Sequence, residues 1–112
     1  MENIIYLNSE SIGVGSEELG KILSRNFLLT IKAENIKVKA IFLVNSAVKL
    51  ASEKSHVLDV LGDFINDGVK IYSCGTCLDY FGLKDKIAAG EPGNMKALCA
   101  ALADEKIHVI KP

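Results

Sequence analysis

Several common classes of protein announce themselves by features this sequence lacks. No apolar run in its 112 residues approaches the ~20 that a membrane helix requires, so no membrane association is expected. The opening Met1-Glu2-Asn3 has neither the positive region nor the apolar stretch of a signal peptide, and a cytoplasmic location follows as the expectation. The 13 basic and 14 acidic residues are spread along the chain, for a net charge of −1. No basic stripe offers the footprint that nucleic acid needs. Three cysteines are an odd number for a disulfide framework, and a reducing compartment disfavours one. Nothing repeats and no segment is of low complexity.

What is present is an apolar fraction of 49%. With glycine counted it lies a little above the ~45–50% usual for soluble domains, a surplus that a subunit interface would absorb. Its distribution predicts one α/β domain over residues 1–112. Asn3–Asn8 reads as a buried strand, followed by a loop to Gly15. Ser16 caps a helix whose first turn holds Glu17 and Glu18, with Leu19, Ile22, Leu23, Phe27 and Ile31 as its apolar stripe. Val38–Val44 is a second strand and Ala47–Ala51 a helical turn. His56–Asn66 is a helix stopped by Asp67-Gly68. Val69–Ser73 is a third strand, Leu78–Leu83 a short helix, and a glycine-rich loop runs on to Gly93. Asn94 caps a last helix with an inner face of Met95, Leu98, Cys99 and Leu102, and Ile107–Ile110 is the closing strand. Such alternation predicts a mostly parallel sheet with helices on both faces. Chemistry in these folds gathers outside the carboxyl ends of the strands, here Asn8-Ser9, Asn45-Ser46 and Cys74 to Cys77.

Cys74-Gly75-Thr76-Cys77 is therefore the chemical centre expected of the chain. A strand-to-helix turn lowers a thiol pKa from its usual ~8.5, because backbone N–H groups and the helix dipole stabilise the anion. Cys77, just before the expected helix at Leu78, is the better placed sulfur. Gly75 allows the tight turn, and Thr76 supplies a hydroxyl. Four readings follow. The two cysteines could pack as small buried residues. They could hold zinc, but that needs four ligands, and Cys99, His56 and His108 fall in separate elements, so no metal or cofactor is expected. They could exchange thiols for disulfides, although a thioredoxin arrangement relies on a later cis-proline and only Pro92 and Pro112 exist. Or one of them could accept and pass on a sulfur atom as a persulfide.

Other motifs carry less. Gly15-Ser16-Glu17-Glu18-Leu19-Gly20-Lys21 matches seven positions of a phosphate-binding loop. The eighth is Ile22 rather than serine or threonine, and Gly20-Lys21 would lie inside a helix. Cys99 is assigned to packing on the last helix, His56 and His108 to the surface, and Tyr80 and Phe81 to core or interface, with Tyr80 also placed to shield the sulfur. Asn8 and Ser9, at the end of the first strand, are candidates to line the site.

The run Cys74-Gly75-Thr76-Cys77-Leu78-Asp79-Tyr80-Phe81-Gly82-Leu83, with Lys84 to Glu91, Asn94-Met95 and the opening Gly15-Ser16-Glu17-Glu18-Leu19-Gly20, resembles the DsrE-like sulfur-relay family. It is most similar to the C-terminal domain of YedF-type, sulfurtransferase-like selenium-metabolism proteins. The resemblance implies a three-layer α/β/α fold with a parallel sheet of four or five strands, assembly into homo-oligomers, and transfer of sulfur or selenium through a cysteine. It implies Cys77 as the sulfur carrier and a more variable residue at the position of Cys74. The reading that results has Cys74 assisting or resolving, with Asn8, Ser9, Gly75 and Thr76, placed by the strand ends and the turn, around the substrate. Sulfur donor and acceptor proteins, among them a TusA-like carrier, are the partners it implies. One departure is that no TusA-like domain with a cysteine–proline motif precedes the cysteine pair. A thiol–disulfide oxidoreductase using both cysteines, or a non-catalytic oligomeric module, remains the alternative.

Overall fold

The computed structural model describes residues 1–112. Strand β1 (Glu2–Leu7) leads into helix α1 (Glu17–Ala33), strand β2 (Ala40–Leu43) and a 3-10 helix at Asn45–Ala51. Helix α2 (Leu58–Asn66), strand β3 (Lys70–Cys74), helix α3 (Gly75–Tyr80), strand β4 (Glu91–Gly93), helix α4 (Met95–Ala103) and strand β5 (Ile107–Ile110) complete the chain. All neighbouring strands pair in parallel, in the order β4-β3-β2-β1-β5.

That order follows from handedness. The first three crossovers step one strand at a time in the same direction, and right-handed connections put their helices on one face of the sheet. The return from β4 to β5 runs the other way, so α4 covers the opposite face. The larger core joins Leu28 and Ile31 of α1, Val60, Leu61 and Phe64 of α2 and Leu78 of α3 to Ile5, Leu7, Ile41, Leu43 and Ile71 of the sheet. On the other face only Ile4, Ala40, Phe42 and Leu98 are buried together, so a single helix seals it. The expected three-layer architecture is present, with a five-stranded, wholly parallel sheet.

Helix ends follow the expected chemistry. Ser16 Oγ accepts from the Leu19 N–H at 3.1 Å, and Asn94 Oδ1 accepts from the Ala97 N–H at 2.8 Å. Gly68, with φ +90°, takes the left-handed turn after α2.

Four expectations are corrected. The apolar stripe expected of α1 is split: Phe27 and Ile31 pack on the core, whereas Leu19, Ile22 and Leu23 are exposed and Gly20, Ser24 and Leu28 complete the buried face. The loop after β1 packs directly on that face. A Cβ on Gly20 would meet Ser11 Oγ at 1.7 Å, and Ser24 Oγ donates to Glu10 O at 2.7 Å. The loop backbone thus satisfies its hydrogen bonds against a helix face that must be small and polar. Cys99 is exposed, not packed, because α4 buries little beyond Leu98, and Met95 and Leu102 stay exposed. Glu91-Pro92-Gly93, expected as loop, is a strand: its single neighbour is β3, and an edge tolerates proline. Finally, α3 begins at Gly75 rather than after Cys77.

Candidate functional site

The earlier start of α3 changes the place of both sulfurs. Cys74 stands at the N-cap position, where its side chain makes no capping hydrogen bond. Cys77 lies in the first turn of the helix, one turn further along. Both are half-buried free thiols, and both pack on the edge of the larger core. They open in different directions. Cys77 faces an open cleft of about 400 Å³ whose other walls are Asn45, Thr76, Tyr80 and Phe81. Cys74 lines a small gap beneath α4 with Phe42, Tyr72, Met95 and Leu98.

The polar contact to Cys77 comes from the neighbouring strand end. The Asn45 backbone N–H donates to Cys77 Sγ at 3.1 Å. Asn45 makes this approach with φ +56°, the left-handed region that asparagine visits more readily than most residues. A strained backbone held against a reactive side chain is a common feature of functional sites. Sequence reasoning placed Asn45 only as a strand end. An asparagine directly after an apolar strand was the available signal.

Burial pushes the Cys77 thiol above its ordinary range, the neighbouring Cys74 raises it further, and the Asn45 amide pulls it partly back. This reverses the expected depression. No cation contributes to the shift, so the resting sulfur keeps its proton at neutral pH. What the site offers is a donor aimed at Sγ, ready for any step that puts negative charge there.

The walls are aromatic. Tyr80 is 84% exposed and stands edge-on to Phe81, with ring centroids 5.2 Å apart. Lys49 Nζ lies over the Phe81 ring, 4.7 Å from its centroid. Beyond Phe81 a larger cleft of about 440 Å³ is lined by Lys21, Lys49, Lys54 and His56 among others. It contains no sulfur, so the smaller cleft is the one with reactive chemistry.

Of the expected binding residues, Thr76 is in the cleft wall. Gly75 is the first residue of α3, close enough to the end of β4 that a Cβ would meet Gly93 O at 3.4 Å. Asn8 and Ser9 are not brought to the cleft. Ser9 Oγ accepts from the Ser11 N–H at 3.0 Å and lies 3.5 Å from Ser46 Oγ, which in turn accepts from the Glu10 N–H. These serines tie the ends of β1 and β2 together beside Asn45. The His56 ring donates from Nε2 to Lys21 O at 2.7 Å, a structural contact. Gly20-Lys21 lies within α1, which removes the phosphate-loop reading. No group of three or more His, Cys, Asp or Glu side chains is arranged to hold a metal ion, and no helix is long and apolar enough to cross a membrane.

Comparison with known proteins gives one family and a set of similar folds. The model of the DsrE/DsrF-like family matches residues 12–112. The fold is similar to that of a protein of unknown function, MTH1491, from Methanobacterium thermoautotrophicum, with a TM-score of 0.72 at 13% identity over 99% of this chain and 98% of that one. The ychN protein from E. coli superposes with a TM-score of 0.67 at 21% identity, covering 98% of this chain and 100% of the other. BT1422 from Bacteroides thetaiotaomicron gives 0.68 at 16% identity, over 99% and 95%. Likeness at these identities speaks for the fold alone. No curated protein matches the sequence.

Proposed function

This chain belongs to the DsrE/DsrF-like family, a family tied to sulfur relay, and from that premise we propose that it carries sulfur as a persulfide on Cys77. The observation that supports the reading most is the Asn45 N–H directed at Cys77 Sγ at the edge of an open cleft. In the loading step the Cys77 thiolate attacks the outer sulfur of a donor persulfide. A bond forms between Sγ and that sulfur, the donor S–S bond breaks, and the donor thiolate leaves with the electron pair and takes up the proton Cys77 gave up. In the unloading step an acceptor thiolate attacks the outer sulfur of the Cys77 persulfide, and Sγ becomes the leaving group. Neither step changes the oxidation state overall.

Charge develops on Sγ during unloading, and the Asn45 amide is the group placed to stabilise it. Tyr80 and Phe81 narrow the approach and limit water around the persulfide. Selenium would follow the same displacements. The donor and acceptor are thiol proteins, a TusA-like carrier among them, and residues 1–112 act as one unit in a homo-oligomer at work in the cytoplasm.

The test is the intact mass of purified protein after treatment with polysulfide or with a cysteine desulfurase and cysteine. Wild type and Cys74→Ser should each gain sulfur that a reductant removes, and Cys77→Ser should gain none. Equal gain in Cys77→Ser would remove Cys77 from the mechanism.

A second reading draws on the nearness of the two thiols, Cys74 at the N-cap of α3 and Cys77 in its first turn, with Cys74 as the thiol that would resolve a mixed disulfide. Thiol–disulfide exchange would need both cysteines. Catalysed reduction of a disulfide substrate, lost equally in Cys74→Ser and Cys77→Ser, would favour it over carriage.

A further inference from the structure

The cleft beyond Phe81 is lined for charge rather than for sulfur. Its volume of about 440 Å³ falls in the range of small-molecule sites. Lys21 of α1, Lys49 of the 3-10 helix and Lys54 of the loop that follows converge on it. Lys21 lies 3.4 Å from Glu10, whereas Lys49 and Lys54 take no part in any ion pair of the chain. Glu53, the other acid of the lining, is equally unpaired. Lys54 enters with φ +69°, a left-handed conformation unusual for lysine, and such strain gathers at functional sites. The remaining polar walls are engaged within the chain. Ser52 Oγ donates to Val48 O, Ser55 Oγ accepts from the Val57 N–H, and the His56 ring is held by Lys21 O. Phe81 alone lines both this cleft and that of Cys77. Lys49 lies over its ring, on the same 3-10 helix whose first residue, Asn45, donates to Cys77 Sγ.

We propose that this cleft binds the body of a small, amino-acid-derived thiol persulfide, of the glutathione or cysteine type, whose outer sulfur reaches past Phe81 and loads Cys77. The proposal rests on the persulfide reading above and adds a low-molecular donor to the protein thiols named there. The charge pattern selects the class. Two unpaired lysines suit carboxylates, and the unpaired Glu53 suits an α-ammonium, so the lining matches a zwitterion with surplus negative charge. A phosphate would meet Glu53 with like charge. Leu50, Phe81 and Leu83 supply the apolar floor on which an aliphatic thiol chain packs. In the transfer the Cys77 thiolate attacks the outer sulfur, and an S–S bond forms as the donor's S–S bond breaks. The small thiolate leaves with the electron pair and takes up the proton that Cys77 gave up, with no net oxidation or reduction.

The test uses the full chain and two readouts. Binding is measured by calorimetry with S-methylglutathione, which has the donor's body but no transferable sulfur. Wild type and Cys77→Ser should both bind it, and Lys49→Gln/Lys54→Gln should bind it about tenfold more weakly. Glu53→Gln should weaken it about threefold without weakening the N-acetylated ligand, which lacks the ammonium. All three side chains are exposed, so the variants should keep the far-ultraviolet dichroism of wild type. No binding by wild type, or equal binding by the lysine variant, would overturn the site. Tighter binding of inorganic phosphate than of S-methylglutathione would overturn the ligand class. Loading is measured as the rate of sulfur mass gain from glutathione persulfide and from the uncharged persulfide of N-acetylcysteine amide. Wild type should prefer the first about tenfold, and the lysine variant should lose that preference. Equal rates from the two donors in wild type would overturn the donor class and leave carriage on Cys77 standing. Sulfur gain in Cys77→Ser equal to wild type would overturn carriage and with it the transfer, while the binding readout still decides the cleft.

Discussion

Asn45 is the residue whose replacement reads most directly on how the fold presents Cys77. Its φ of +56° costs an ordinary L-residue roughly 1–2 kcal/mol, a cost that asparagine bears more easily and glycine does not bear at all. Asn45→Ala therefore faces two outcomes. If the backbone stays left-handed, stability falls by about 1 kcal/mol, a drop in melting midpoint of about 4 °C or more for a domain of this size. If the backbone relaxes, the N–H swings away from Sγ and the group that pulls the Cys77 thiol down is lost, so its titration moves further up. Asn45→Gly keeps both the geometry and the amide, and its stability should stay within about 0.5 kcal/mol of wild type. The assays are urea denaturation of each protein and the pH dependence of Cys77 alkylation, followed by peptide mass. Alanine and glycine proteins equal in both stability and thiol titration would refute the reasoning.

Cys77 alkylation should rise with pH to a midpoint above the ordinary thiol value of about 8.5. Cys74→Ser should lower that midpoint without restoring the ordinary value, because burial is the larger cause and remains. The folded thiol holds its proton more tightly than the unfolded one. Its contribution to stability is therefore full below the ordinary thiol range and is lost as pH climbs through the folded value. A midpoint below about 8.5 would contradict the burial argument. Gly90→Ala should cost more than about 1 kcal/mol, since φ is +77° and the new Cβ would meet Ile71 O at 2.4 Å. Gly62→Ala, in the interior of α2 with open space around it, should gain about 0.5–1 kcal/mol, and denaturant midpoints compare the two. Ser73 Oγ is buried with no hydrogen-bond partner, so Ser73→Ala should stabilise the protein by about 1 kcal/mol. A loss of stability there would mean that the hydroxyl is satisfied in solution.

The layers and their order were legible because they rest on long, strongly patterned segments. Ile4-Ile5, Ile41-Phe42-Leu43 and Ile71 could only be strands of a covered sheet, and the glycine and serine signals between them left little choice of connection. The facing of α1 was not legible. Both sides of that helix have apolar residues at three- and four-residue steps, and Leu28 and Ile31 inside are no larger than Leu19, Ile22 and Leu29 outside. What decides the matter is Gly20 and Ser24 receiving the loop at Ser11 and Glu10, a contact between segments that no helical period reports. Strand β4 was hidden because Glu91-Pro92-Gly93 has no strand propensity. It pairs because the close approach of Gly90 and Gly93 to β3 leaves the backbone no other partner. At the site, the cysteine turn was visible as a motif, and its position at a strand end followed from the fold class. The Asn45 amide and the direction of the Cys77 shift were not visible, since both depend on β2 and β3 being neighbours in the sheet.

The central claim is that Cys77 is the sulfur-bearing atom, and isotope-labelled sulfur tests it most directly. Wild-type protein loaded from a desulfurase supplied with labelled cysteine, then trapped with an alkylating reagent and digested, should carry the label as an alkylated persulfide on the Cys77-bearing peptide. That label should leave when an acceptor thiol is added before trapping. Label resting instead on Cys74 or Cys99, or retained equally by Cys77→Ser, would contradict the account.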